Sequence, residues 1–246
     1  MTVQGIIFDL GWTLVDFVAD YEREVEPRRI AALGACLARY GLPIEAPDLY
    51  RRFQAHQQIL REVGTPLLYE YPARLALLRA LREALPDGLP DSLLDSAHQA
   101  LYALLADYWE PYEDTFETVE RLREAGYRLA ILSNTNDDSH VRRIVDRSGL
   151  RPWFDPIHTS AGLGLRKPHP RPFRLILETW ALPPSEVVVV GDTLSADVLG
   201  AHRAGMRAIW VHRFSPISDN AEHEGRIIPE AVVERLGELP GVITGW

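Results

Sequence analysis

Asp9 closes an apolar run near the start of the chain, IIFDLGWTLVD at residues 6–16. A second apolar run, ILSNT, closes with Ser133, Asn134 and Thr135. A third, VVVVGD, closes with Gly191 and Asp192, and Asp197 follows one turn later. Lys167 lies between them in GLRKPHPRPF. Two or three acids, a hydroxyl and a lysine at the ends of apolar runs suit phosphoryl transfer. A carboxylate can attack phosphorus and divide one hard step into two. Mg²⁺ prefers oxygen ligands and commonly takes one or two carboxylates with phosphate oxygens. It would screen the repulsion between an anionic nucleophile and an anionic substrate. A hydroxyl, backbone N–H groups and a lysine can hold the remaining phosphate oxygens.

Read one at a time, each residue also has a structural explanation. Asp9 and Asp192 could open turns, and Asp197 could answer a helix dipole. Ser133 could cap the following helix, although Asp137, Asp138 and Ser139 are better placed to do so. Lys167 could be a solvated loop residue, and Asn134 could be structural. Thr13 suits a role in ordering the loop after the first strand.

The elements that must position these residues follow from periodicity. VQGIIFDL reads as a short buried strand ending at Gly11. From about residue 20 to 108, four segments carry apolar residues at helical spacing, punctuated by GLP, GTP and LPDGLP. From PYEDT, residues 111–115, helices and strands alternate, ending in a helix over IPEAVVERLGEL. Strands separated by helices predict right-handed crossovers and a parallel sheet covered on both faces. The first strand then belongs with the later α/β part. The expected architecture is a Rossmann-like parallel-sheet core, residues 1–15 and 111–246, with an all-helical cap inserted at 16–110. Ligands bind beyond the carboxyl ends of such strands, where the acids lie.

The order FDLGWTL, ILSNT, RKPHPRPF, VVVVGDTLSAD resembles the four motifs of the haloacid dehalogenase-like hydrolase superfamily across nearly the whole chain. The helical insertion resembles that family's C1 cap. The resemblance implies that Asp9 is the nucleophile and an Mg²⁺ ligand. It implies that the Gly11 carbonyl also faces the metal, that Asp192 completes the metal site and that Asp197 supports it. Ser133 would bind the phosphoryl oxygens with Asn134 nearby, and Lys167 would stabilise the nucleophile and the transferring group. The implied substrate is a small phosphorylated metabolite. The sequence departs from the pattern at two places. Most phosphatases of the family carry a second aspartate two residues after the nucleophile, where this chain has Gly11. General acid–base help of that kind is worth about 10²–10⁴-fold. Trp12 stands where glycine is more usual, and its indole could cover the site or touch substrate. Metal-independent 2-haloacid dehalogenation is therefore a rival, since a halide leaves without a proton. A non-catalytic phosphate-ligand-binding role is a third reading.

Composition narrows the partners. The 246 residues are 46% hydrophobic and 25% charged, with a formal net charge of −9. The acidic balance argues against sequence-independent nucleic-acid binding, which relies on Lys and Arg. Cys36 is the single cysteine, so no intrachain disulfide can form. It falls on the apolar face of a predicted helix. No cleavable leader pattern and no membrane-length apolar run is visible. A cytoplasmic monomer or homodimer is the expectation. Among the histidines, His56 and His169 are candidates to lie near substrate. Arg61, Tyr69, Tyr71 and Arg74 form a basic and aromatic group within the insert.

Overall fold

The structure, a computed structural model, describes residues 2–213 and 218–246. The chain begins with β1 (Gly5–Phe8) and then β2 (Val15–Phe17). Helices α1 (Glu26–Arg39), α2 (Ala46–Leu67), α3 (Ala73–Ala84) and α4 (Leu93–Tyr102) follow, and the chain returns through β3 (Trp109–Pro111). Next come α5 (Thr115–Glu124), β4 (Arg128–Ser133), α6 (Asp138–Arg147), β5 (Ile157–Thr159), a single turn α7 (Ser160–Leu163) and α8 (Pro170–Trp180). The last part holds β6 (Val187–Gly191), α9 (Leu199–Ala204), β7 (Arg207–Val211), a short α10 (Asn220–His223), β8 (Ala231–Val233) and α11 (Leu239–Thr244).

Six strands form one parallel sheet in the order β5-β4-β1-β6-β7-β8. The chain leaves β1 toward β4 and β5 on one side, then crosses to β6, β7 and β8 on the other. Strand order therefore reverses at β1, which places the crevice beyond Phe8. Alternate residues of each strand feed two separate cores, as a period of two requires. Ile6, Phe8, Val188 and Val190 pack with residues of α5, α6 and α11. Ile7, Val187 and Val189 pack with residues of α8 and α9.

The insert has its own core, to which α1–α4 contribute Leu33, Cys36, Phe53, Leu77 and Leu101. The two chain segments that join it to the sheet domain, β2 and β3, pair antiparallel with Val15 opposite Pro111 and Phe17 opposite Trp109. Among the described residues no helix is long and apolar enough to cross a membrane.

Two expectations are corrected. The punctuation at Gly64–Thr65–Pro66 does not stop α2, which runs through it to Leu67. Proline near a helix C-terminus removes one N–H but leaves most of the helix ladder behind it intact. The closing segment IPEAVVERLGEL is not one helix. Ala231–Val233 joins the sheet edge beside β7, and Leu236–Glu238 is a 3₁₀ turn before α11. β-Branched Val232 and Val233 fit a pleated surface, and the waiting edge of β7 decides against local helical periodicity.

Candidate active site

Asp9 follows β1 directly, and its backbone N–H donates to the Val190 carbonyl at 2.9 Å, which fixes it to the neighbouring strand β6. Lys167 reaches the same place from the loop before α8. Its Nζ lies 2.5 Å from Asp9 Oδ1 and 2.7 Å from Asp197 Oδ1. The lysine is only 3% exposed and Asp197 only 1%. Burial works against the Lys167 charge, but Asp197 and then Asp9 outweigh it and hold the ammonium above its ordinary range. Burial pushes the Asp197 carboxyl up, against the Lys167 ammonium. The other Asp197 oxygen accepts the Thr193 N–H at 3.1 Å.

Asp197 can stand there only because residue 191 is glycine. A Cβ at Gly191 would lie 2.3 Å from Asp197 Cγ. Asp192, 2% exposed, completes the group. Its main-chain carbonyl is held by Trp210 Nε1 at 2.8 Å and by Asn220 Nδ2 at 2.7 Å. Thr13 approaches Asp192 Oδ1 at 3.4 Å. Its hydroxyl therefore serves the acid group, not only the loop backbone. One carboxylate oxygen from each of Asp9, Asp192 and Asp197 lies within 4.8 Å of the others. An all-oxygen, carboxylate-rich set of this kind fits Mg²⁺.

A cavity of about 560 Å³ opens over these residues, and Gly11, Trp12, Ser133 and Asn134 line it as well. Asn134 does less toward ligand than its position suggested. Its side-chain amide accepts from Lys167 N–H at 2.9 Å and donates to Lys167 O at 3.0 Å, so it fixes the lysine's main chain. Trp12 has φ +56°, a region uncommon for bulky residues. Its indole meets Trp109 edge-to-face, with ring centroids 5.1 Å apart. Trp109 in turn covers Gly11: a Cβ there would lie 3.2 Å from two indole carbons of Trp109.

The insert lies down on the core. Glu70 accepts from Ser160 Oγ at 3.0 Å and sits 3.8 Å from Arg166. Ala73 N–H donates to Asn136 O at 2.7 Å, and His98 of α4 contacts Asp137, the N-cap of α6. Burial raises the Glu70 pKa although Arg166 opposes it. A second cavity of about 460 Å³ lies along this seam, lined by Arg61, Tyr69 and Tyr71 among others, and it shares Arg166 and Asn134 with the first. Arg74 instead pairs with Asp95 on the insert surface. His56 pairs with Glu83, and His169 caps α8 by accepting from Arg171 N–H. None of these three lines either cavity.

Three residues at the site were not anticipated. Trp109 and Arg166 line the first cavity, as does His140. Burial pushes the His140 pKa down to about 4, with Asp137 opposing and Arg143 and Arg29 assisting. Arg166 could have been noticed beside Lys167. Trp109 carried no signal, because it lies about a hundred residues from Gly11 and reaches it only through the β2–β3 pairing.

The model of the family described as "Hydrolase: haloacid dehalogenase-like hydrolase" matches residues 3–205. A glyceraldehyde 3-phosphate phosphatase of Methanopyrus kandleri is 27% identical over 242 residues, 98% of this chain and 97% of that protein. A 2-haloacid dehalogenase of Pseudomonas syringae pv. Tomato superposes with a TM-score of 0.70 at 26% identity, covering 100% of both chains. A phosphatase of the same family from Thermococcus onnurineus superposes with a TM-score of 0.65 at 23% identity, covering 99% of both.

Proposed function

Since the chain belongs to the haloacid dehalogenase-like hydrolase family, we propose that this hydrolase is a Mg²⁺-dependent phosphatase acting on a small phosphate monoester through a phospho-Asp9 intermediate. The observation that carries the reading is the charge count in the buried cluster. Asp9, Asp192 and Asp197 supply three negative charges when ionised and Lys167 supplies one positive. Two like charges within 4.8 Å repel by roughly 3 kcal/mol or more at an effective dielectric of about 20. A divalent cation would offset the negative charge that the three carboxylates concentrate there. Asp9, Asp192 and the Gly11 carbonyl would hold that ion, with Asp197 supporting, and it would offset the charge of the phosphate.

The protein's own groups then divide the work. Asp9 offers the attacking oxygen, and its bond to Lys167 fixes the carboxylate. Lys167 draws off charge from the nucleophile and the transferring group. Asp197 and Asn134 keep Lys167 in place, one at the ammonium and one at the main chain. Ser133, at the end of β4 and lining the cavity, would donate to a phosphoryl oxygen. The insert, resting on the core through Glu70 and Ala73, would limit the access of water to the site.

The test is phosphate release from a panel of small phosphate esters, with and without Mg²⁺, beside Asp9→Asn. Release should need Mg²⁺ and fall at least 10³-fold in the variant. Full activity in Asp9→Asn would end this mechanism. A second reading, carbon–halogen cleavage on Asp9, draws support from Gly11 and from the likeness to a 2-haloacid dehalogenase. Metal-independent halide release from 2-haloacids would select it.

A further inference from the structure

We propose that the substrate is an aryl phosphate: the site holds a flat ring against Trp12 and Trp109, and the aryl oxygen departs without a proton from the enzyme. This names the substrate class of the site above and rests on the phosphatase reading.

The first observation is the wall beside the nucleophile. Gly11 projects no side chain, and the Trp109 indole stands 3.2 Å from where a Cβ would begin. Trp12 meets Trp109 edge-to-face at 5.1 Å, and Phe17 backs Trp109 at 5.3 Å. Val15, Val141 and Ile144 line the same cavity. The 560 Å³ beside Asp9 is thus polar where phosphorus would sit and aromatic beyond it. Aromatic rings favour edge-to-face and offset contacts of this kind. Trp12 keeps its place despite φ +56°, where glycine would meet no steric penalty.

The second observation concerns protons. Gly11 offers no side-chain acid two residues after the nucleophile. Asp9, Asp192, Asp197 and Lys167 belong to the nucleophile and metal-binding cluster already described. Arg166 and Arg203 do not release protons at working pH. Asp219 at the rim accepts from Ser195 Oγ at 2.7 Å and pairs with His223. Burial of much of the His140 imidazole pushes its pKa down to about 4, which favours the neutral ring, a very weak acid. An alkoxide leaving from such a site would lack the help worth about 10²–10⁴-fold. A phenol, with a pKa near 10 as in tyrosine, needs far less.

The steps balance without an added reactant. An Asp9 oxygen attacks phosphorus, the P–O bond to the ring breaks, and its electron pair leaves on the aryl oxygen, which takes a proton from solvent. Water then attacks phosphorus, the bond to Asp9 breaks with its electrons returning to the carboxylate, and water's proton passes to solvent.

The experiment compares kcat/KM, with Mg²⁺, for phenyl, para-nitrophenyl, cyclohexyl and glycerol phosphates. Phenyl phosphate should exceed cyclohexyl phosphate, its aliphatic counterpart in size, by at least 10²-fold. The para-nitrophenyl ester should exceed both. Trp109→Leu should reduce the phenyl-to-cyclohexyl ratio at least tenfold. Equal turnover of phenyl, cyclohexyl and glycerol phosphates would overturn the inference and leave the phosphatase reading standing. An unchanged ratio in a folded Trp109→Leu protein would remove the indole wall from recognition and overturn the inference likewise. No phosphate from any ester, para-nitrophenyl included, would fell both readings together.

Discussion

Replacing Lys167 with methionine keeps most of the side chain's bulk and removes its charge. Lys167 is 3% exposed, and its ammonium is shared between Asp9 at 2.5 Å and Asp197 at 2.7 Å. Its loss leaves the Asp9 and Asp197 carboxylates facing each other without the ammonium they shared. Removing one partner of a buried ion pair typically costs about 3–5 kcal/mol, because the group left behind has lost water and gained nothing. Two groups are left behind here, so the upper part of that range is expected in metal-free buffer. Mg²⁺ should return part of it, since an ion bound at 100 times its Kd stabilises by about 2.7 kcal/mol. The wild-type protein, with its lysine in place, should gain less from the same ion. Urea unfolding of both proteins, with and without Mg²⁺, measures all four values. A loss below about 1 kcal/mol, or a deficit that widens on adding Mg²⁺, would show that Lys167 does not neutralise this cluster.

Two further perturbations probe the surroundings. Gly191→Ala puts a Cβ 2.3 Å from Asp197 Cγ; overpacking of about 1–3 kcal/mol should appear in urea melts together with lost turnover, and wild-type turnover would refute the contact. His140→Phe tests the half-buried imidazole, whose pKa is pushed down to about 4 from an ordinary value near 6.5. Folding then favours the neutral ring, so its stabilising contribution is present above about pH 6.5 and is lost as pH falls toward 4. That difference amounts to roughly 3 kcal/mol. The variant should therefore gain on the wild type as the solution is acidified from pH 7 to pH 4.5, and parallel stability curves would contradict it.

The parts of the site visible in the sequence are those set by a strand and its final residue. Asp9, Ser133 and Asp192 each end an apolar run, and a parallel sheet carries such ends to one edge. Lys167 and Asp197 were visible because they sit a short, fixed distance from helices that the sheet positions. What the sequence concealed depends on contacts between distant segments. Trp109 shields Gly11 only because β3 pairs with β2. Asn134 reads as a ligand contact until the Lys167 main chain is seen beside it. Ala231–Val233 has helical spacing in isolation and becomes a strand because β7 offers an open edge. In each case the deciding partner lies elsewhere in the chain, where local pattern cannot register it.

The position of β1 also bears on how the protein is made. Gly5–Phe8 lies at the centre of the sheet, between Arg128–Ser133 and Val187–Gly191. Synthesis runs from the N-terminus, and domains with their own cores fold as units along the way. The helical insert can therefore close on itself while both neighbours of β1 are still untranslated. Until residue 191 has emerged, Asp9 has no complete sheet beneath it. Pairings that span so much chain are slow to form. Asp9, translated ahead of the insert, is thus among the last residues to reach its working position, and the insert can be folded before there is a site for it to lie on.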